Sequence, residues 1–339
     1  MATQTKTRRR ARAIAVGGAA LTFAFFLAAC NSSDSSDGAS AEPAGGPASG
    51  TEAKAEPTGS APYEVRTTTE TLVDASRPTA EGRATPALSD RTLETTIAYP
   101  DDPGPFPLVV LSHGSTGRPE RLTELAATWA RAGYVVAAPA FPLTNADVPE
   151  ARFNVGDVSN QPGDVSFVID AITAANDDKD SPLFERVRTG RIGVAGHSLG
   201  GATTYGVTFA PCCVDERVDA TVILSGVRLV EAGDELFDRA TPILVFHGES
   251  DTALPFPIGV DAYAELQSPK WFVTLIGADH STPYENPQSA WDNVVETTTT
   301  DFWDATIGAD SDKASESAYE RLLSDASVTG VATVETDRG

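Results

Sequence analysis

The chain has 339 residues, with 25 Lys and Arg against 48 Asp and Glu and a formal net charge of −23. So acidic a surface repels a phosphate backbone, which excludes a nucleic-acid partner. Of the three cysteines, two are adjacent, and no Cys/His spacing supports a metal site.

In chain order, Lys6, Arg8, Arg9, Arg10 and Arg12 form a basic leader, followed by an apolar run over 14–27 that is too short to span a bilayer comfortably. This is the pattern of an export signal. It ends Leu27-Ala28-Ala29-Cys30, which resembles the lipobox of bacterial lipoproteins, whose cysteine is lipidated. The expectation is a signal peptide over 1–29 and lipid attachment at Cys30. That places the protein outside the cytoplasm, anchored to the membrane or released to the exterior; an ordinary exported protein with a chance cysteine is the plainer alternative. Residues 31–61 are nearly all Ser, Gly, Ala, Pro, Asp, Glu and Thr and cannot bury enough surface to offset ordering entropy, so 30–61 is expected to be a disordered tether. About 280 residues remain, a length that suits one α/β domain, placed at 62–308 with an extension over 309–339.

Within that domain the alternation at 63–73 predicts an antiparallel edge strand, and 92–99 a second strand ending at Pro100. The apolar run 108–112 reads as a buried parallel strand. Leu122, Leu125, Ala126, Trp129 and Ala130 give a helix over 120–132 that Gly133 stops. A strand follows at 134–138, a helix at 164–175, a strand at 191–195 and a short helix at 201–207. Further strands are expected at 220–224, 243–246 and 271–276, then a helix over 289–306. A last helix at 315–324 precedes a tail, 334–339, expected to fray. Strands alternating with helices specify a mostly parallel sheet of about eight strands covered on both faces. Only about eighteen residues join the strands at 220–224 and 243–246, too few for a large lid domain.

Gly196-His197-Ser198-Leu199-Gly200 lies between the strand at 191–195 and the helix at 201–207. A Gly-x-Ser-x-Gly at such a junction presents its serine on a sharp turn, with hydroxyl exposed. Serine needs a base, and the base needs an orienting carboxylate. In sheets of this type the chain order is Ser, acid, His, at the C-terminal ends of later strands. Among four histidines, His113 and His197 precede or adjoin Ser198 and His247 occupies the strand end that should carry the acid, leaving His280. Asp251 is the acid by position, with Asp279 and Glu249 as rivals. The oxyanion requires backbone N–H groups. Leu199 supplies one, and Ser115 in Ser112-His113-Gly114-Ser115-Thr116-Gly117 the other, unless that stretch is a plain glycine-rich turn around a packed His113. With nucleophile, base and oxyanion donors all in the chain, no cofactor is needed. Phe141, Leu143 and Phe256 are candidates for an acyl site or for ordinary loop packing, while Trp129 and Tyr205 read as core. Cys212 and Cys213 are open between a vicinal disulfide and two buried thiols.

Several stretches carry a family resemblance: Val73-Asp74-Ala75-Ser76-Arg77-Pro78-Thr79, the run from Phe106 to Gly114, Gln161-Pro162-Gly163-Asp164 with the helix after it, the serine turn, and Cys212-Cys213. Together they resemble the α/β-hydrolase superfamily, in its extracytoplasmic branch labelled predicted dienelactone hydrolases, similar to platelet-activating-factor acetylhydrolases and chlorophyllases. The resemblance implies carboxyl-ester hydrolysis through an acyl-enzyme. One departure bears on substrate: true dienelactone hydrolases use a cysteine nucleophile, and this chain has Ser198. Dienelactone is therefore not the expected substrate; short to medium acyl or aromatic esters are, and the layout's similarity to secreted polyester hydrolases and cutinase-like enzymes adds polymer esters as a side expectation. A catalytically silent surface-binding protein and a serine peptidase are the competing readings. Retention of Ser198, Asp251, His280 and the His113-Gly114 loop argues against silence, and the absence of a propeller or cap domain argues against a peptidase.

Overall fold

The computed structural model describes residues 62–229 and 239–339. The expected signal, Cys30 and the tether lie outside the described residues, as does 230–238 in the connection between the strands expected at 220–224 and 243–246.

The strands are β1 (Val65–Asp74), β2 (Arg91–Pro100), β3 (Phe106–Ser112), β4 (Val135–Ala140), β5 (Val187–His197), β6 (Val218–Leu224), β7 (Ile243–Gly248), β8 (Lys270–Leu275) and β9 (Ala332–Asp337). They form one sheet in the order β1-β2-β4-β3-β5-β6-β7-β8-β9. The strands from β4 to β8 run parallel, whereas β1, β2 and β9 pair antiparallel at the two ends. Side chains alternate between faces, so Val109 and Leu111 of β3 point into one core and Leu108 and Val110 into another.

Helices α1 (Thr123–Arg131), α2 (Gln161–Asp177), α3 (Leu199–Phe209), α4 (Phe256–Glu265), α5 (Thr282–Glu285), α6 (Asp292–Trp303) and α7 (Asp312–Asp325) connect the strands. Trp129 of α1, Phe302 and Trp303 of α6 and Leu322 of α7 fill the first core against β3 to β8. Val165, Val168 and Ile169 of α2 fill the second, and Tyr205 and Phe209 of α3 meet Tyr263 of α4 in a third. Trp129 and Tyr205 are thus core, as their spacing implies. The predicted helix at 120–132 opens as a 3-10 turn, Pro119–Leu122, and Gly133 ends α1 at φ 104°.

Two expectations change. The tail expected to fray is β9, which lies along β8 from Leu275↔Ala332 to Lys270↔Asp337. An uncovered β8 would leave its backbone groups unpaired beside buried Trp271 and Val273, and β9 closes that edge. Among the described residues the sheet therefore has nine strands rather than about eight. Of the two states left open for the cysteines, the structure has Cys212 and Cys213 disulfide-bonded, just beyond α3.

Candidate active site

The chain leaves β3 for β4 on one side of the sheet and returns to β5 on the other, so strand order reverses at the β3/β5 boundary. A crevice opens at the C-terminal ends of the strands at such a point. The turn after β5 carries Ser198, and the loop after β3 carries His113 to Gly117.

Ser198 has φ 55° and ψ −116°, a conformation costing about 1–3 kcal/mol that persists only where its surroundings enforce it. Two glycines do so by letting backbone come close. A Cβ at Gly196 would lie 2.1 Å from the Gly200 carbonyl oxygen, and one at Gly200 would lie 2.2 Å from that of Ser112. The Ser198 N–H donates to Leu224 O at 3.0 Å, fixing the turn to β6.

His280 follows β8 and Asp251 follows β7, and the structure brings both to Ser198. His280 Nε2 lies 2.7 Å from Ser198 Oγ, and its Nδ1 lies 2.7 Å from Asp251 Oδ2. The other Asp251 oxygen accepts the N–H groups of Ala253 (2.9 Å) and Leu254 (2.8 Å). Burial favours the protonated acid, but the bonds from His280 and Leu254 outweigh it and hold Asp251 below the usual carboxylate range. The rival acids are engaged elsewhere. Asp279 accepts the N–H groups of Ser281 and Thr282, and Glu249 accepts that of Gly277.

The two expected oxyanion donors flank the serine. Leu199 is the first residue of α3, and the Ser115 loop abuts the turn so closely that a Cβ at Gly114 would lie 3.1 Å from Ser198 Cβ. Among the described residues no protein acceptor takes the N–H of either Ser115 or Leu199. The apolar candidates divide differently. Phe141 and Leu143 are fully buried, Phe141 against the His113 ring, and so belong to the core; Phe256 packs on His247 and Phe272.

The three other histidines, set aside as bases from sequence, surround the site as braces. His113 Nδ1 donates to Gly114 O at 2.7 Å while its Nε2 accepts the Phe141 N–H at 3.0 Å. Burial pushes it down to about 4, against the pull of the Gly114 carbonyl. His197 Nε2 donates to His280 O at 2.9 Å, and its ring packs against those of both His280 and Tyr284. Burial, helped by His280, pushes it down to about 3. His247 Nε2 donates to Leu254 O at 2.8 Å and is lowered by burial too. Their signal in the sequence is position alone, each within two residues of a strand end.

The family model for dienelactone hydrolases matches residues 93–308, from β2 to the turn after α6. The chain belongs to the dienelactone hydrolase family. No curated protein matches it. Membership makes this an α/β-type hydrolase, and β1, α7 and β9 lie outside the matched span. Among the described residues no cluster of three or more His, Cys, Asp or Glu side chains is arranged to hold a metal ion.

Proposed function

We propose that this member of the dienelactone hydrolase family is a serine-dependent carboxylic-ester hydrolase that works through an acyl-enzyme. The observation that carries this reading is the continuous chain of hydrogen bonds from Asp251 through His280 to Ser198 Oγ. His280 Nε2 takes the hydroxyl proton as Ser198 Oγ attacks the ester carbonyl. Asp251 keeps the other ring proton on Nδ1 and stabilises the imidazolium that forms. The N–H groups of Leu199 and Ser115 receive the negative oxygen of the tetrahedral intermediate. His280 then returns its proton to the leaving alcohol, and water attacks the acyl group by the same route in reverse.

Ser198 and the His280 ring are partly exposed, which suits short to medium acyl or aromatic esters, and polymer chains as well. Export and attachment through a lipidated Cys30 complete the proposal. A Cys30→Ala chain should then lose membrane partitioning once the signal is removed.

Ser198→Ala tests the mechanism. Turnover of p-nitrophenyl acetate should fall by about 10³-fold or more, with circular dichroism and thermal midpoint unchanged. Undiminished turnover in a folded Ser198→Ala enzyme would sink the reading. A rate profile from acetate to palmitate, together with a polyester film, then defines the acyl range.

A further inference from the structure

Gln161 is the first residue of α2, yet it is fully buried, and so are Thr144 and Thr203. Three polar side chains in such a place cost about 1–3 kcal/mol each unless every one is paired. They are paired with one another. The Gln161 side-chain oxygen accepts from Thr203 Oγ1, and its Nε2 donates to Thr144 Oγ1 at 2.8 Å.

The two threonines belong to the two elements that flank Ser198. Thr203 stands one turn along α3 from Leu199, whose carbonyl its hydroxyl also reaches at 3.2 Å. Thr144 lies beyond β4, and its backbone oxygen accepts the Thr116 N–H at 2.7 Å, next to Ser115. One side chain thus ties the helix that begins at Leu199 to the loop that contains Ser115.

Gln161 is itself anchored by contacts other than those with the two threonines. One turn on, Asp164 accepts from the fully buried Arg91 at 2.6 and 2.7 Å and from Arg77 at 2.9 Å. Pro162 presses on α3 where Gly206 has no side chain, since a Cβ there would lie 2.7 Å from Pro162 Cγ. The start of α2 is therefore a fixed post from which Gln161 reaches both ways.

We propose that Gln161 is a positioning residue: through Thr203 and Thr144 it sets the separation of the Leu199 and Ser115 N–H groups that receive the oxyanion. The proposal rests on the ester-hydrolase reading above. Two donors from separate elements must converge on one developing charge, and misplacement by about 1 Å is enough to cost about 10²-fold in rate. Gln161 touches no reacting atom, so its effect belongs to the transition state and not to ground-state binding.

Thr144→Val and Thr203→Val each exchange a hydroxyl for a methyl of similar shape and cut one end of the bridge. With p-nitrophenyl acetate, each should lower kcat about ten- to a hundredfold with KM nearly unchanged. The double variant should be no worse than the poorer single, because one cut already frees the bridge. Thr144→Ser and Thr203→Ser keep the hydroxyl and should restore kcat to within about threefold of the parent enzyme. Four results overturn the proposal: unchanged kcat in folded valine variants, a loss confined to KM, penalties that multiply in the double variant, or serine variants as impaired as valine ones. If a valine variant fails to fold, Gln161→Asn shortens the bridge by one methylene while keeping both polar groups. A folded Gln161→Asn enzyme with full kcat overturns the proposal equally. Failure here is separable from failure of the mechanism: an esterase that depends on Ser198 but ignores Thr144 and Thr203 refutes only the bridge.

Discussion

Asp251→Asn isolates what the carboxylate does, because the structure dictates how the new amide must sit. Asp251 Oδ1 accepts two backbone N–H groups, from Ala253 and Leu254, and only a carbonyl oxygen can replace it there. The amide nitrogen is then turned toward His280 Nδ1, 2.7 Å away in the parent enzyme. An N–H facing Nδ1 demands a lone pair on that nitrogen, so the ring proton moves to Nε2 and points at Ser198 Oγ. A base in that tautomer cannot accept the hydroxyl proton. The charge is lost as well. Opposite charges about 3 Å apart at an effective dielectric of about 20 attract by about 5 kcal/mol, equivalent to about 10⁴ in rate. The Asp251 side chain is wholly buried, but that of His280 is 18% exposed and keeps some solvent screening. The expected loss in kcat is therefore about 10³- to 10⁴-fold, with KM nearly unchanged. Steady-state hydrolysis of p-nitrophenyl acetate by a variant of native thermal midpoint is the assay. A loss smaller than about tenfold would show that Asp251 does not orient the base and would refute the reasoning.

Arg91→Met should destabilise the fold by about 3–5 kcal/mol in urea unfolding, because it removes the cation from the buried Asp157 carboxylate and leaves Asp164 with Arg77 alone; a change below about 1 kcal/mol would show that they neutralise cheaply. Burial, only partly offset by Arg321, pushes Asp301 up to about 7. The folded state keeps a proton there that the unfolded chain releases near about pH 4, so this stabilisation is complete below that pH and lost as pH rises through about 7. Asp301→Asn should accordingly flatten the stability profile between those limits, and an unaltered slope in urea titrations would contradict the shift. A chain ending at Gly330 should lose thermal stability and aggregate, since removing β9 bares the β8 edge. A monomeric truncated chain with the parent's midpoint would mean that β9 is dispensable.

Most of the sheet was legible because its strands are local signals: 108–112, 220–224 and 243–246 are apolar runs with the length of a buried strand, and each is one. The position of His280 followed from strand order and the small number of histidines. β9 escaped because nothing in Ala332–Asp337 is strongly apolar apart from Val334, and only Ala332 is buried. Its reason for being a strand is the open edge of β8, about sixty residues earlier, and pairing of that kind leaves no periodic mark. Gln161 escaped for a related reason. Sequence placed it just ahead of a helix expected over 164–175, in a stretch that carries the family resemblance. Its two partners, Thr144 and Thr203, lie on different elements, and only their arrangement in space gives the amide two buried hydroxyls.

The division of labour among the four histidines supports the proposal of His280 as the base. A neutral imidazole has one donor and one acceptor. His113 spends both on backbone, holding the loop of Gly114 and Ser115 through Gly114 O and the end of β4 through the Phe141 N–H. Protonation would place a second ring N–H against the Phe141 N–H, so the brace works only while neutral, consistent with its fall to about 4. His197 and His247 donate through Nε2 to the carbonyls of His280 and Leu254. Those two residues in turn carry the imidazole that meets Ser198 and an N–H on Asp251. Each brace therefore fixes one of the three loops that must converge on Ser198, and each is buried where an added charge would be costly. His280 alone keeps its ring partly exposed, with both nitrogens on side chains rather than backbone. It is the one imidazole of the four whose nitrogens meet a carboxylate on one side and the Ser198 hydroxyl on the other.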